Sequence, residues 1–476
     1  MAVRTMEELV SLCKKRGFVF QSSEIYGGLR GVYDLGPLGV ELKKNIRNAW
    51  WRSLVYERDD IEGVECSHLS HRLVWKHSGH EDTFSDPLIE CKTCHSRMRQ
   101  DKMKDETKCD TCGSSDLTDP KKFLLMMKTN IGPVDDGSSF AYLRPETAQG
   151  SYLNFENVLL SMGRKLPFGI AQHGKSFRNE ITPKNFLFRL REFEQAEMQF
   201  FVPPETDIEW WEKWKNIRHQ WWLEQGIPAG KLRFKDHEQL AHYAKCATDI
   251  EYEFPWGFDE IEGIHDRQDF DLGSHTKSQE DFKINAKVLP NKDSTTRMSY
   301  RDPFTGKEFI PFVIETAAGL DRAMIALINE AYTEEKLPNG KTRTVLKLKK
   351  HLAPIKVAVV PLAKNNPDIM MTGMKVRRVL SELGIGRVVF ENSNNIGKAY
   401  RRHDEIGTPI CVTVDFDTLE KENHPVTVRD RDTMEQVSVN IADIGNYVKK
   451  FYSRETPQQD VERLYQFSKM KEKRRE

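Results

Sequence analysis

The run Phe168-Gly169-Ile170-Ala171-Gln172-His173-Gly174-Lys175-Ser176-Phe177-Arg178-Asn179-Glu180 passes through Thr182-Pro183-Lys184-Asn185. It continues as Phe188-Arg189-Leu190-Arg191-Glu192-Phe193-Glu194-Gln195-Ala196-Glu197. Two extended runs flank a turn-rich loop, which predicts a pair of antiparallel strands. Residues two apart on a strand share a face. Arg178 is therefore expected on the same side as Glu180, and Phe193 on the side of Gln195 and Glu197. Arginines, carboxylates and an aromatic ring around one cavity make a poor core, because buried charges need partners. They suit a ligand with an anionic phosphate, a cationic amine and a flat base. A solvated salt-bridge lattice on an exposed sheet fits the same pattern equally well.

Further along, Phe309-Ile310-Pro311-Phe312-Val313-Ile314-Glu315-Thr316-Ala317-Ala318-Gly319-Leu320-Asp321-Arg322 reads as an apolar strand running through small residues into a helix. Gly319 allows a close approach of backbone to ligand. Arg322 falls in the first helical turn, where a cation opposes the helix dipole unless an anion also binds. That favours a phosphate partner over a surface arginine. Upstream, Gly36-Pro37-Leu38-Gly39 precedes Leu42, Ile46, Trp50 and Leu54. A spacing of four lays these side chains along one helical stripe. A core helix and a helix at a dimer interface both produce such a stripe.

Two interruptions break this α/β body. Residues 86–121 carry Cys91, Cys94, Cys109 and Cys112, two Cys-x2-Cys knuckles in a polar stretch that cannot build its own core. Four thiolates can surround Zn²⁺ tetrahedrally and leave no position open for water, so such a site is structural. Four free thiols in a loop is the blander alternative, and the spacing favours zinc; His95 is not counted as a ligand. Residues 203–255 are rich in tryptophan (Trp210, Trp211, Trp214, Trp221, Trp222) at helical spacing, which predicts a helical insertion packed on the body.

The turn at Pro338-Asn339-Gly340 leads into a basic stretch with Lys341, Arg343, Lys347, Lys349 and Lys350, read as a linker or exposed hairpin. Beyond it, apolar runs at 356–362, 387–390 and 410–414 alternate with helical spacing at 374–383, predicting a compact α/β domain over 351–455. Residues 456–476 read as a charged tail, helical and fraying. The 476 residues suit about three domains. Lys+Arg and Asp+Glu are 72 each, so the net charge is zero. That excludes a wholly basic nucleic-acid coat and an acidic disordered chain. The apolar run Val357 to Ala363 falls far short of the roughly 18 residues that span a bilayer. The N-terminal stretch, with Glu7 and Glu8 and no apolar core, reads as neither a secretory signal nor a transit peptide. A cytoplasmic location follows as the expectation, with eight cysteines outside any disulfide framework.

At this point the residues resemble a family. Phe177-Arg178-Asn179-Glu180 with Phe193 and Glu197 is similar to the second signature motif of class II aminoacyl-tRNA synthetases. Gly319-Leu320-Asp321-Arg322 resembles the third, and the Gly-Pro-Leu-Gly helix the first. More narrowly, Gln21-Ser22-Ser23-Glu24-Ile25-Tyr26-Gly27-Gly28 and Arg144-Pro145-Glu146-Thr147-Ala148-Gln149-Gly150 resemble the homodimeric glycyl-tRNA synthetases. Asn395 to Pro409 resembles the anticodon-binding domain shared by glycyl, prolyl, threonyl and histidyl enzymes.

The resemblance implies a class II α+β catalytic domain on an antiparallel sheet over 1–350. To it are added a zinc-ribbon-like insertion, a helical insertion and a C-terminal α/β anticodon-binding domain. It implies ATP-dependent attachment of glycine to the 3′ end of tRNA(Gly) through glycyl-adenylate, with Mg²⁺ accompanying ATP, structural Zn²⁺, a homodimer and no membrane. By matching position, Arg178 would hold the α-phosphate and the glycine carboxylate. Phe193 would stack on adenine, Glu180 would read its amino edge, and Arg189 and Arg322 would hold the β/γ-phosphates. Arg178, Glu180 and Arg322 form the implied catalytic set; Asn179, Phe188, Glu260, Ile261 and Gly319 complete the ATP site, with Glu260-Ile261 in the Mg²⁺ segment. Glycine would meet Arg99, Glu146, Phe193, Glu197, Glu315, Ala317 and Gly319. Ala317 stands where the family usually has serine, with Thr316 or water as the expected compensation. The alternatives are another class II synthetase of the prolyl, threonyl or histidyl type, or a catalytically silent synthetase-like paralogue that binds tRNA. A basic track for tRNA is expected over 341–350 and the C-terminal domain, with binding that weakens steeply in salt.

Overall fold

The computed structural model describes residues 5–133, 139–393 and 395–453; the expected charged tail lies outside them. Seven strands form the main sheet: β1 (Ile61–Gly63), β2 (Phe168–Phe177), β3 (Glu192–Val202), β4 (Leu232–Asp236), β5 (Cys246–Phe254), β6 (Gly257–Gln268) and β7 (Phe312–Gly319). Their spatial order is β4-β5-β6-β7-β3-β2-β1. β2 and β3 are the antiparallel pair expected from the sequence, in register from Phe168↔Phe201 to Phe177↔Glu192. The sheet is antiparallel throughout except where β1 runs parallel to β2.

The helices before the C-terminal sheet include α1 (Pro37–Trp51), α2 (Ala148–Leu153), α3 (Asp207–Glu224), α4 (Phe270–His275) and α5 (Leu320–Ala331). Leu42, Ile46, Trp50 and Leu54 are all fully buried, so the apolar stripe of α1 is core within this chain. α3 covers one face of the sheet. Its Trp210 and Trp214 pack on Phe200 at centroid distances of 4.8 and 5.2 Å. Arg218 Nε and Trp222 Nε1 both donate to the Glu262 carboxylate, at 2.7 and 2.6 Å, in an ion pair wholly sealed from water.

The helical insertion expected over 203–255 is α-helical only across Asp207–Glu224, with a short 3-10 turn at Ala229–Lys231. β4 and β5 occupy most of the remainder and extend the main sheet. In Ile250-Glu251-Tyr252-Glu253-Phe254 the apolar residues recur every second position. Ile250, Tyr252 and Phe254 are buried, the period of a strand packed on one face.

The chain divides into two compact units. One comprises Gln21–Asp34 and Trp50–Ile325 and contains the main sheet. The other gathers the described residues up to Phe20, Leu35–Ala49 and the described residues from Ala326 onward. Its sheet has β8 (Val357–Pro361), β9 (Val388–Phe390), β10 (Ile410–Val414), β11 (Pro425–Asp430) and β12 (Gln436–Asn440), in the order β9-β8-β10-β11-β12. β8 lies parallel to β9 and β10; the other pairs are antiparallel. Helices α6 (Pro367–Ser381), α7 (Ile396–Glu405) and α8 (Ile444–Ser453) accompany it, with a short helix at Phe416–Glu420. Val357, Val359, Ile369, Val376, Leu380 and Val412 share its core.

The basic stretch is a hairpin, Tyr332–Lys336 against Thr342–Leu346, but it is not an open cationic track. Arg343 is buried, donating to Asp404 at 2.9 Å and Glu335 at 2.7 Å. Lys347 pairs with Glu335 at 2.7 Å. A guanidinium beside two carboxylates satisfies charge internally, which leaves Lys341, Lys347 and Lys349 as the exposed lysines of 341–349.

Candidate active site

The face of the sheet opposite α3 presents Gln172, Gly174 and Ser176 from β2, Phe193, Gln195 and Glu197 from β3, Glu315, Ala317 and Gly319 from β7, and Gly263 and His265 from β6. The register makes these neighbours: Gln172 lies opposite Glu197, Glu197 opposite Ala317, Ala317 opposite Gly263, and Gln195 opposite Gly319. Small residues therefore alternate with charged ones on this face, and neighbouring side chains lie close over two of the glycines. A methyl at Gly174 would collide with the Arg144 guanidinium, and one at Gly263 would sit 2.8 Å from the His265 ring. Thr316 is fully buried on the opposite face, because strand neighbours alternate, so its hydroxyl does not stand in for a serine at Ala317.

Three carboxylates meet here with unequal partners. Glu315 accepts from Arg267 Nη1 at 3.0 Å and Gln199 Nε2 at 3.0 Å, and lies 2.7 Å from His265 Nδ1. Burial works to raise Glu315, but Arg267 and His265 outweigh it and hold the carboxyl at about 2. Glu146 lies 3.3 Å from His80 Nε2 and accepts from Gln149 Nε2 at 3.1 Å. Burial again works upward, yet His80 and Arg267 keep Glu146 below the ordinary carboxylate range. Glu197 is held by neutral groups, Thr147 Oγ1 at 2.5 Å and Gln195 Nε2 at 2.7 Å. Burial first, then the charges of Glu315 and Glu146, push it up to about 8.

The arginines lie on the adjoining side. Arg178 sits between two rings, its guanidinium carbon 5.3 Å from the Phe84 centroid and 5.2 Å from that of Phe193, while Nε donates to Pro145 O at 3.0 Å. β2 stops at Phe177, so Glu180 does not continue the strand as the alternation implied. Its N–H turns back onto Arg178 O at 2.7 Å, a local turn that aims Glu180 toward Arg189, 3.9 Å away. Asn179 is fixed through its backbone, donating to Leu125 O at 2.7 Å. Arg322 has the anion that its place in the first turn of α5 demands: Glu260 lies 2.9 Å from Nη1. Its guanidinium rests 4.2 Å over the Phe188 ring. Ile261, between these groups in sequence, is fully buried.

Arg99 is placed apart from the three glutamates. It ion-pairs with Asp86 at 2.8 Å and Asp101 at 2.9 Å, and Glu180 is the next carboxylate to influence it. It belongs to a three-stranded sheet, Arg97–Arg99, Ser85–Glu90 and Lys121–Leu124, that carries the cysteine knuckles. The knuckles repeat one geometry: Cys91 N–H donates to Ser96 O and Cys109 N–H to Ser114 O, each at 2.9 Å. His95 and Gly113, which follow the second cysteine of each knuckle, both have positive φ. The hydroxyls of Thr93 and Ser114, and of Ser96 and Thr111, join across at 2.8 and 2.9 Å. All four sulfurs lie within 4.8 Å of one another, with Cys91–Cys112 and Cys94–Cys109 at 3.6 Å. The edge of a tetrahedron with metal–sulfur bonds of about 2.3 Å is about 3.8 Å.

Sequence reading missed Arg267, Asp271, Gln199, His265 and His80. Arg267 binds Asp271 through Nε and Nη2 at 2.6 and 2.9 Å, and both are fully buried. The alternation Gly263, His265, Arg267 along β6 was a usable signal. His80 carried none, because it reaches the pocket from a short helix rather than from the sheet.

Residues 356–451 match the Anticodon binding domain family. Whole-chain relatives match far more. A glycine–tRNA ligase from Deinococcus radiodurans is 51% identical, covering 94% of this chain and 99% of the relative. The glycine–tRNA ligase of Thermus thermophilus is 50% identical with the same coverage. That of Borreliella burgdorferi is 49% identical over 93% of this chain and 97% of its own length.

Proposed function

The chain belongs to the glycine–tRNA ligase family, and from that premise we propose how its residues divide the work. It is a ligase that joins glycine to tRNA. The proposed route has two steps. A carboxylate oxygen of glycine attacks the α-phosphorus of ATP, and pyrophosphate leaves. The terminal ribose hydroxyl of tRNA(Gly) then attacks the glycyl carbonyl, and AMP leaves. Neither step needs a protein nucleophile; positioning and charge carry them.

Arg178 bridges the glycine carboxylate and the α-phosphate, where its position between two rings leaves the guanidinium edge for anions. Phe193 supplies a stacking surface for adenine, Glu180 an acceptor for its amino group, and Arg189 and Arg322 charge for the β/γ-phosphates. Glu146, Glu197 and Glu315 receive the ammonium in a hollow too small for a longer side chain. The observation that carries this reading is the convergence of those carboxylates beside a ring-clamped arginine. Arg322 exchanges its Glu260 partner for phosphate as ATP enters.

Mg²⁺, when bound with ATP, neutralises phosphate charge. Glu260 would hold it with Asp249 beside it. Burial and the charge of Glu260 push Asp249 up to about 6, and two crowded carboxylates are the hard-oxygen set such an ion takes. Zn²⁺ fits the four sulfurs in number, softness and spacing; it would fix the knuckles and take no part in the reaction. A homodimer and a cytoplasmic location complete the proposal. None of the eight cysteines is in a disulfide, and no described helix is long and apolar enough to cross a membrane.

ATP–pyrophosphate exchange tests the assignment. Exchange should depend on glycine, and Arg178→Ala should abolish it while tRNA binding persists. Activation by proline or threonine instead, or undiminished exchange in Arg178→Ala, would overturn it.

A further inference from the structure

The two halves of the substrate site are joined by a short segment outside the sheet. After the helix Arg72–His77 the chain turns at Gly79, whose φ of 79° a side chain would resist, and makes one further helical turn, His80–Thr83. His80 and Phe84 are four apart, so they project to one side. Phe84 N–H donates to His80 O at 3.0 Å and fixes the spacing of the two rings.

The His80 imidazole is buried edge-on against the indole of Trp75, centroids 5.2 Å apart. Ser78 Oγ lies 2.8 Å from Nδ1, and Glu146 Oε2 lies 3.3 Å from Nε2. A nitrogen facing a carboxylate must carry the proton, so Nε2–H points at Glu146, while Nδ1 meets the Ser78 hydroxyl, which also reaches Trp75 O at 3.4 Å. Glu146 is thereby fixed on one oxygen by His80 and on the other by Gln149.

Phe84 forms the face of the clamp on Arg178 opposite Phe193. Its carbonyl accepts from Leu125 N–H at 3.1 Å, and Leu125 O accepts from Asn179 N–H at 2.7 Å. Arg178 in turn donates to Pro145 O, one residue before Glu146, at 3.0 Å. The path from His80 to Glu146 and the path from Phe84 to Arg178 thus close into one ring of contacts.

We propose that His80–Phe84 is a brace that positions both substrates: His80 aims the Glu146 carboxylate at the amino-acid ammonium, and Phe84 holds the Arg178 guanidinium for the phosphate. Both are positioning residues, and the inference rests on the roles given above to Glu146 and Arg178. The two effects are separable because they run through different side chains.

The test is steady-state ATP–pyrophosphate exchange on the full chain, with KM measured for glycine and for ATP, and thermal unfolding followed alongside. His80→Leu leaves one oxygen of Glu146 without its histidine donor and should raise the glycine KM about tenfold, with the ATP KM within about twofold. His80→Gln, whose amide can donate to the same oxygen, should recover most of that loss. Phe84→Leu should lower kcat and raise the ATP KM several-fold more than the glycine KM, which rises only through the contact of Arg178 with the glycine carboxylate. If His80→Gln is as impaired as His80→Leu, or if each variant shifts both KM values alike, the brace is refuted. Glu146→Gln separates the two layers of argument. A raised glycine KM in Glu146→Gln with no change in either His80 variant rejects the brace alone; an unchanged glycine KM in Glu146→Gln rejects the pocket itself.

Discussion

Glu197 is the acid of the pocket that lacks a cationic neighbour at hydrogen-bond distance. Held at about 8, it keeps its proton at neutral pH while the pocket is empty. An ammonium placed beside it favours the ionised form, so glycine binding should expel about one proton. The sign follows. Affinity for glycine rises as pH climbs toward 8, because the proton to be expelled is already leaving, and the gain stops above that value. Calorimetry in buffers of different ionisation enthalpy counts the released proton, and Glu197→Gln should abolish the release. The family resemblance implied three glutamates around one amine. It did not show which one stays protonated, since that depends on Arg267 lying against Glu315 rather than Glu197, a matter of side-chain direction and not of spacing.

Two elements owe their place to charge as much as to apolar packing. α3 is fastened to β6 by the sealed Arg218–Glu262 pair, with Trp222 as a second donor. Arg218→Leu strands the Glu262 carboxylate without its counter-ion and should cost about 3–5 kcal/mol in chemical denaturation. Replacing both partners with apolar residues should recover most of that loss, because no charge is then left buried. The cysteine insertion predicts a different response. Cys109→Ser should lower bound zinc from about one per chain to near none by metal analysis. It should also speed amide exchange across 91–112, while α3 and the main sheet keep their protection. The knuckles were readable from their spacing alone, since four sulfurs at two close intervals have few other uses. β5 was equally readable from its alternation, but the five tryptophans before it drew the helical reading too far.

At the scale of the whole molecule, the sequence predicted a C-terminal domain from 351, and the matched family covers 356–451, but no pattern in the sequence showed what that stretch is built into. Three hydrogen-bonding sets run across that point. Asn45 Nδ2 donates to Leu352 O and Ala353 O, at 3.1 and 3.0 Å; Arg343 reaches Asp404; and Arg431 Nη2 donates to Leu348 O at 2.9 Å. Such pairings join distant stretches through buried charge and backbone carbonyls, which leave no periodic trace. Ending the chain after Lys350 would therefore strip partners from Asn45, Arg343 and the Leu348 carbonyl. The shortened protein should unfold at lower temperature than the full chain and lose glycine-dependent exchange more readily on warming. A truncated protein as heat-resistant as the whole would contradict this division.

The same feature has a consequence for birth on the ribosome. Asn45 emerges early, and the carbonyls it serves are 307 and 308 residues further on. Arg16 waits longer still for Glu405. The helices that carry Arg16 and Asn45 thus have to linger without their final neighbours while the main sheet is made, and they settle only once the chain has been extended past Glu405.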